Sequence, residues 1–368
     1  MGQVLLGAVM SCLLLAVAAC SSVKAASPPR MEFGIYPGGP VGTIKITDAP
    51  VPESPSRRLA ALEELRAHSA SETPRPFVIR LYEAFTGLPA VDTWSGSGAN
   101  AVTDSEINSY STSGFEIDLV VRYQPVTSLG PQAVDDFLEF VRTLVQRYGT
   151  NSHVRYVQIA NEVNVTTSSS SSDGAYPEAV YALVWGVEAA TQEAATDGYS
   201  ALKVGFNWAY AQGAGTDQAL WQFIRSQGLS FRKSIGWVGL DGYPGTFTDV
   251  GTSPQNTGTV LVDGVAQLRE LMAGSGIPRS VPIHIAETGY PTGPHRSRAA
   301  QSVALSSLVA SVNQVRSTYD VSDFEWFDLR DSNSSVRNKQ EQYGLMTDAY
   351  RPKAAFRSYQ ELVSQLGR

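Results

Sequence analysis

Cysteine and histidine are scarce in this chain of 368 residues. Both cysteines, Cys12 and Cys20, lie within the first 20 residues, so the rest of the sequence cannot form a disulfide or use a thiol as nucleophile. The four histidines lack the short spacings of a zinc site: His68, His153, His284 and His295. These absences exclude a thiol or zinc mechanism, and we expect no metal ligands and no cofactor.

Clusters of positive charge are also missing. The formal net charge is −7, and the lysines and arginines are scattered along the chain. Proteins that bind phosphate backbones carry basic patches, so nucleic acid is not an expected partner. No linker-like stretch interrupts residues 31–368. A single α/β barrel commonly uses a segment of this length, so we expect one catalytic domain and a monomer.

Charged side chains are absent from the first 20 residues. The apolar run Val4–Ala19 predicts a signal peptide, because it is too short and too poorly flanked for a membrane span. The string Val-Ala-Ala-Cys20 resembles a bacterial lipoprotein box, in which Cys20 would be lipidated. The alternative is simple cleavage near Ala19 or Ala26. We therefore expect an exported lipoprotein or secreted protein with a short linker over 21–30, and the lipid anchor as its one membrane contact.

Short runs rich in β-branched and aromatic residues alternate with longer amphipathic segments. In one such segment, apolar residues of 134–148 fall on one helical face before Gly149. Alternation counted to eight predicts an α/β fold, a single-domain (β/α)8 TIM barrel. The predicted strands are Met31–Tyr36, Phe77–Phe85, Phe115–Tyr123, Val154–Asn161, Lys203–Trp208, Ile235–Tyr243, Val281–Glu287 and Asp323–Arg330.

Two carboxylates follow apolar runs at the ends of predicted strands, Glu162 after the fourth and Glu287 at the seventh. Active sites of these barrels collect at the carboxyl ends of the strands. Glycoside hydrolysis needs two carboxyl groups there, one to protonate the leaving oxygen and one to stabilise or attack the anomeric carbon. Either glutamate alone could equally be a solvated or helix-capping residue in a loop. Because both lie at the ends of predicted strands, the sequence favours a catalytic pair.

A barrel with Asn-Glu closing its fourth strand and Glu closing its seventh resembles clan A of the glycoside hydrolases, over nearly all of 31–368. The resemblance implies a retaining enzyme that hydrolyses a β-linked polysaccharide or cell-envelope glycan with two glutamates. It assigns Glu162 as acid/base, Glu287 as nucleophile and Asn161 as a hydrogen-bond partner of the sugar 2-hydroxyl.

Three further residues match supporting positions of the clan. Arg80, in Phe-Val-Ile-Arg80-Leu-Tyr, would pair with the nucleophile, and Tyr243 would donate to it. Trp326 on the eighth strand would form the floor of the sugar subsite. The alternatives are that Arg80 is a structural ion-pair partner, for example of Asp118, and that the two aromatic residues belong to the core.

Other residues at or beyond strand ends are plausible walls of the sugar subsites, since sugars stack on aromatic faces, although packing would explain them equally well. They are Tyr36, Trp94, Asn207 and Trp208. The serine-rich segment 166–172 follows the fourth strand, and its composition predicts a mobile loop on the same face.

The segment Glu287-Thr-Gly-Tyr-Pro291 is similar to motifs of family 17 β-1,3-glucanases and family 53 β-1,4-galactanases. Tyr290 replaces a Trp of the first motif and Gly289 an Ala of the second, so neither family is assigned and the sugar stays open. Two rival hypotheses are a non-catalytic glycan-binding lipoprotein on a degenerate barrel and a barrel of unrelated chemistry. The paired glutamates argue against the first, and the missing His/Asp or Lys constellations argue against the second.

Overall fold

The eight predicted strands and the predicted (β/α)8 fold are confirmed. A computed structural model describes residues 30–38, 51–66, 75–87, 104–126, 130–210, 214–251 and 253–368, and its strands form one closed parallel barrel in chain order. Cys20, Trp94, the predicted signal peptide and nearly all of the predicted linker lie outside the described residues. The strands are β1 Glu32–Ile35, β2 Val78–Phe85, β3 Glu116–Tyr123, β4 Val154–Ile159, β5 Lys203–Ala209, β6 Trp237–Gly242, β7 Ile283–Thr288 and β8 Val321–Trp326.

The helices between the strands surround the barrel. The helix predicted over 134–148 is present and ends at Tyr148. Gly149 follows it with an ordinary right-handed φ of −66°, and a Cβ there would collide with the ring of Tyr199, so the glycine is explained by space. The α-helices of the described residues are α1 Pro55–Arg66, α2 Asp104–Thr112, α3 Pro131–Tyr148, α4 Ala179–Thr196, α5 Ala214–Ser226, α6 Leu229–Ser234, α7 Thr257–Gly274, α8 Arg298–Tyr319 and α9 Ala354–Leu366.

The two faces of the strands differ in polarity. The outward faces carry apolar side chains, such as Phe33 and Phe206, that join the main core with the helices. The interior holds a small apolar cluster of Val78, Tyr156, Trp237 and Ala286, together with several buried charged residues. Because side chains alternate along a strand, these inward positions lead towards the open end of the barrel. The fold thereby directs a column of polar groups to the face where the strands end.

Buried acids occupy the lower part of this column. Asp118, Asp323 and Glu325 are each at most 1% exposed. Burial raises the pKa of Asp118 to about 6 and raises the pKa values of Asp323 and Glu325 well above their usual range. The interior therefore retains protons on several carboxyl groups well above the pH at which exposed acids lose them.

Across the described ranges, no helix is both long and apolar enough to cross a bilayer.

Candidate active site

Glu162 and Glu287 lie close together at the carboxyl ends of β4 and β7. The backbone turns sharply after β4, where Ala160 and Glu162 adopt positive φ values of 57° and 48°. The Glu162 N–H donates to the Asn207 side-chain oxygen at 2.8 Å, which fixes this turn against β5. A bulge in β7 brings Glu287 into register with Asp241 of β6. One carboxylate oxygen from each of Glu162, Asp241 and Glu287 lies within 4.8 Å of the other two.

Glu287 is buried and is surrounded by hydrogen-bond donors. Its Oε1 accepts from the Tyr82 hydroxyl at 2.5 Å and from the Arg80 guanidinium at 3.3 Å. Its Oε2 accepts from the Tyr243 hydroxyl at 2.7 Å. Burial raises the pKa values of both tyrosines well above their usual range, so both remain donors at neutral pH. A cation and two hydroxyl donors thus hold the Glu287 carboxylate in one orientation.

Arg80 has two roles that the sequence presented as alternatives. Its guanidinium bonds Asp118 at 2.5 Å, as a structural ion pair would, and also contacts Glu287. It further donates to Gln158 at 2.8 Å and, through Nε, to the Tyr82 hydroxyl at 2.8 Å. The planar guanidinium thus connects the acidic barrel interior to the carboxylate at its mouth.

Glu162 has a different environment from Glu287. Its Oε2 accepts one hydrogen bond from the Ser172 hydroxyl at 2.6 Å. Burial raises the pKa of Glu162, and the charge of Glu287 raises it further, to about 7. Glu162 therefore holds a proton up to neutral pH, while the donors around Glu287 favour its carboxylate. An acid beside a carboxylate is the pair that acid-assisted nucleophilic displacement requires.

The serine-rich segment, predicted to be a mobile loop, is packed against the site at its C-terminal end. Ser172 is fully buried, and the Ser171 carbonyl accepts from the Asn161 side chain at 3.1 Å. Asp173 anchors this end through the Arg122 guanidinium at 2.7 Å and through the Asn161 N–H at 2.8 Å. The buried ion pair between β3 and the loop holds Ser172 beside Glu162.

Asp241 is a third carboxyl group in the site that the sequence interpretation missed. It lies inside β6, two residues before Tyr243, and residues two apart on a strand share a face. That spacing was the available signal. The Asn207 amide donates to Asp241 and, at 2.9 Å, to the side-chain oxygen of Asn161. Burial and then the charges of Glu287 and Glu162 raise the pKa of Asp241 well above its usual range, so it keeps its proton to a higher pH than an exposed aspartate does.

The three carboxyl groups could together ligate a divalent cation, a possibility the sequence did not indicate. Their present hydrogen bonds oppose it. Both oxygens of Glu287 and one of Glu162 already accept from protein donors. The arrangement fits proton transfer and nucleophilic attack better than metal binding.

The aromatic residue beside the site is Phe327, and Trp326 faces away. Trp326 is fully buried in the main core. Phe327 stacks on Tyr36 with ring centroids 5.0 Å apart and meets the Tyr243 ring edge-on at 6.2 Å. The prediction for Trp326 is therefore corrected to Phe327. Trp326, the last residue of β8, packs into the main core, and Phe327 directly after the strand lies beside the site.

The other predicted wall residues divide between the site and the core. Asn161 and Asn207 lie in the hydrogen-bond network around the carboxyl groups, and Tyr36 packs edge-on against Tyr82 with ring centroids 5.3 Å apart. Trp208 follows Asn207 on β5 and points the other way, into the main core, where its indole donates to Asp217 of α5 at 3.0 Å. The structure therefore does not bring Trp208 to the site.

No protein-family model and no curated protein matches the sequence. Several solved structures match the fold. A family 1 β-glucosidase from Thermotoga maritima has a TM-score of 0.63 at 12% identity over 93% of this chain and 99% of its own. A fungal β-1,4-galactanase has a TM-score of 0.58 at 14% identity, over 90% of this chain and 99% of its own. A Bifidobacterium dentium β-glucuronidase has a TM-score of 0.57 at 14% identity over 92% of this chain. The match spans only 47% of that enzyme. The barrel fold is thus shared with these three glycosidase structures, and at these identities the likeness concerns the fold alone.

Proposed function

We propose that this protein is a retaining glycoside hydrolase that cleaves a β-linked polysaccharide or cell-envelope glycan. The observation that carries the proposal is the pairing of Glu162 and Glu287 in contrasting environments within 4.8 Å. In the first step Glu162 protonates the glycosidic oxygen while Glu287 attacks the anomeric carbon, so the glycosidic C–O bond breaks as a glycosyl ester forms. In the second step Glu162 takes a proton from water, which displaces Glu287.

The separation of the two carboxyl groups supports a direct attack. Retaining enzymes place them about 5–5.5 Å apart, whereas inverting enzymes leave roughly 6.5–9.5 Å for an intervening water. Oxygens of Glu162 and Glu287 lie within 4.8 Å, which fits the shorter class. Arg80 and Tyr243, both bonded to Glu287, are the groups we propose to hold the nucleophile ionised.

The sugar is the open part of the proposal, because the similar structures are named for glucuronides, galactans and glucosides. Incubating the purified protein with a panel of β-glucans, β-galactans and β-mannans, and measuring new reducing ends, tests it. Glu287→Gln is the inactive control. Binding to a glycan of the panel without release of reducing ends from any member would instead support the non-catalytic glycan-binding alternative.

We expect kcat/KM to fall as pH rises above about 7. The pKa of Glu162 is raised to about 7, so the protonated acid persists to that pH and is lost above it. Glu162→Gln should remove this basic limb. Ser172→Ala deletes the hydrogen bond that stabilises the Glu162 carboxylate, so it should move the limb to higher pH. A pH–rate profile that is identical in the wild type and both variants would contradict the assignment.

Phe327→Ala should lower kcat/KM by about tenfold, since loss of a stacked aromatic contact costs roughly 1.5 kcal/mol. Its melting temperature should change little, because Phe327 is only partly buried. The matched variant Trp326→Phe should behave in the opposite way, lowering the melting temperature while keeping kcat/KM of the folded protein. Kinetics and thermal unfolding of both variants decide which of the two residues serves the site.

We also propose export through the apolar leader, with lipidation at Cys20. Cys20→Ala should then move the protein from the membrane fraction to the soluble fraction, as fractionation and immunoblotting would show. A wild-type protein that is wholly soluble outside the cell, with an N-terminus other than residue 20, would contradict lipidation.

A further inference from the structure

A cavity of about 330 Å³ lies beside the candidate active site, between the loop after β6 and the segment after β7. Phe247, Asp249, Tyr290 and Arg296 line it. It is separate from the carboxyl groups but adjoins them, because Tyr243, which donates to Glu287, contacts the Phe247 ring at 5.7 Å between centroids. A ligand residue in this cavity would therefore adjoin the sugar at the reaction centre.

Arg296 places a positive charge in this cavity, and none of the salt bridges among the described residues involves it. Its guanidinium lies over the Tyr290 ring, 4.4 Å from the centroid, and donates to the Gly245 carbonyl and, at 3.4 Å, to the Thr246 hydroxyl. These acceptors orient the side chain but are neutral. Among the described residues, no carboxylate lies within salt-bridge distance of Arg296. In a chain of net charge −7, such an oriented and unpaired guanidinium is a site for an anion.

The rest of the cavity suits a sugar. Phe247 is 54% exposed and offers an aromatic face for stacking. Asp249 receives the Gly251 N–H at 2.8 Å on one oxygen, and a carboxylate has further lone pairs for hydroxyl donors. The negative charge of Asp249 would repel a simple inorganic anion. A ligand with both an anionic group and hydroxyl groups satisfies Arg296 and Asp249 together.

We propose that this cavity is a subsite for a sugar residue that bears a carboxylate or sulfate group, next to the bond being cleaved. The proposal rests on the glycosidase function and specifies its substrate class as an acidic glycan. The planar guanidinium of Arg296 binds the anionic group through paired N–H donors, Phe247 stacks on the ring and Asp249 accepts a hydroxyl.

Ligand-observed NMR titrations with sodium D-glucuronate, D-glucose 6-sulfate and D-glucose test the subsite directly. We expect at least one anionic sugar to bind about tenfold more tightly than glucose, and the preference to weaken as salt is raised. Arg296→Gln should abolish the preference. Arg298→Gln removes an exposed arginine two residues away and should leave it intact. Arg296→Lys keeps the charge without the paired donors and should bind at an intermediate level.

The outcomes for the subsite and for the enzyme can be told apart. If the wild type cleaves neutral β-glycans yet binds both anionic sugars no better than glucose, the subsite proposal is overturned and the glycosidase function stands. If the anionic preference depends on Arg296 but neither the neutral panel nor β-linked glycans that contain uronate or sulfated sugars are cleaved, the anion site stands and the enzyme proposal fails. An anionic preference that survives in Arg296→Gln, with the variant folded by circular dichroism, also overturns the subsite.

Discussion

Glu287→Ala is expected to lower kcat by about 10⁴-fold or more while leaving the fold intact, because it deletes the proposed nucleophile. The loss of the side chain leaves a space between Arg80, Tyr82 and Tyr243, which now lack their shared acceptor. A small anion such as azide or formate fits this space and is attracted by the same donors. Added azide should therefore restore turnover.

The stereochemistry of the rescued reaction is the decisive readout. Azide in the space left by Glu287 attacks the anomeric carbon once, so the glycosyl azide should have inverted configuration. The wild type attacks twice and should release the retained anomer first, as NMR of early time points would show. Glu139→Ala, an exposed glutamate on α3, is the matched control and should keep full activity without azide. An inverted first product from the wild type would refute the mechanism.

The fold and the two central glutamates were accessible from local pattern alone. Apolar runs that alternate with amphipathic segments predicted all eight strands, and the position of Glu162 and Glu287 at strand ends follows from the same pattern. Arg80 and Tyr243 were predicted from the resemblance to clan A glycoside hydrolases, and the local pattern of the chain did not indicate them. Features that follow from a repeating sequence pattern, such as the strands and their ends, are thus predictable without knowledge of long-range contacts.

The errors arise where a single residue or a long-range contact decides. Both Trp326 and Phe327 are aromatic, so hydrophobicity did not fix the end of β8 or the face that each residue takes. Tyr82 and Asp241 lie inside their strands rather than at the strand ends, although Arg80 and Tyr243 are each two residues away along the same segment. Residues i and i+2 of a strand point to the same face, so the positions of Arg80 and Tyr243 also predict that Tyr82 and Asp241 face the site.

The contact between Ser172 and Glu162 illustrates a different limit. Nothing in a run of serines specifies packing, and the loop is held by a buried ion pair of Asp173 with Arg122, a residue 51 positions earlier on β3. Such a pair depends on both groups being desolvated together, which only the folded barrel provides. The pKa of Glu162, raised by burial and by Glu287 and lowered in part by the Ser172 hydrogen bond, is therefore set by tertiary structure.

The second large effect is expected for Glu162→Ala, and it should depend on the leaving group. Loss of the general acid should lower kcat/KM by about 10²–10⁴-fold for a natural glycan, whose leaving oxygen must be protonated. A dinitrophenyl β-glycoside needs no proton, so its bond cleavage should be nearly unaffected and the glycosyl ester on Glu287 should accumulate.

Azide would then enter from the Glu162 side and displace Glu287, which gives a glycosyl azide of retained configuration, opposite to the product of Glu287→Ala. Mass spectrometry of the ester and NMR of the azide measure both steps. Equal losses for both leaving groups, or an inverted azide, would show that Glu162 is not the acid, since only a group that faces Glu287 across the anomeric carbon yields this pair of opposite products.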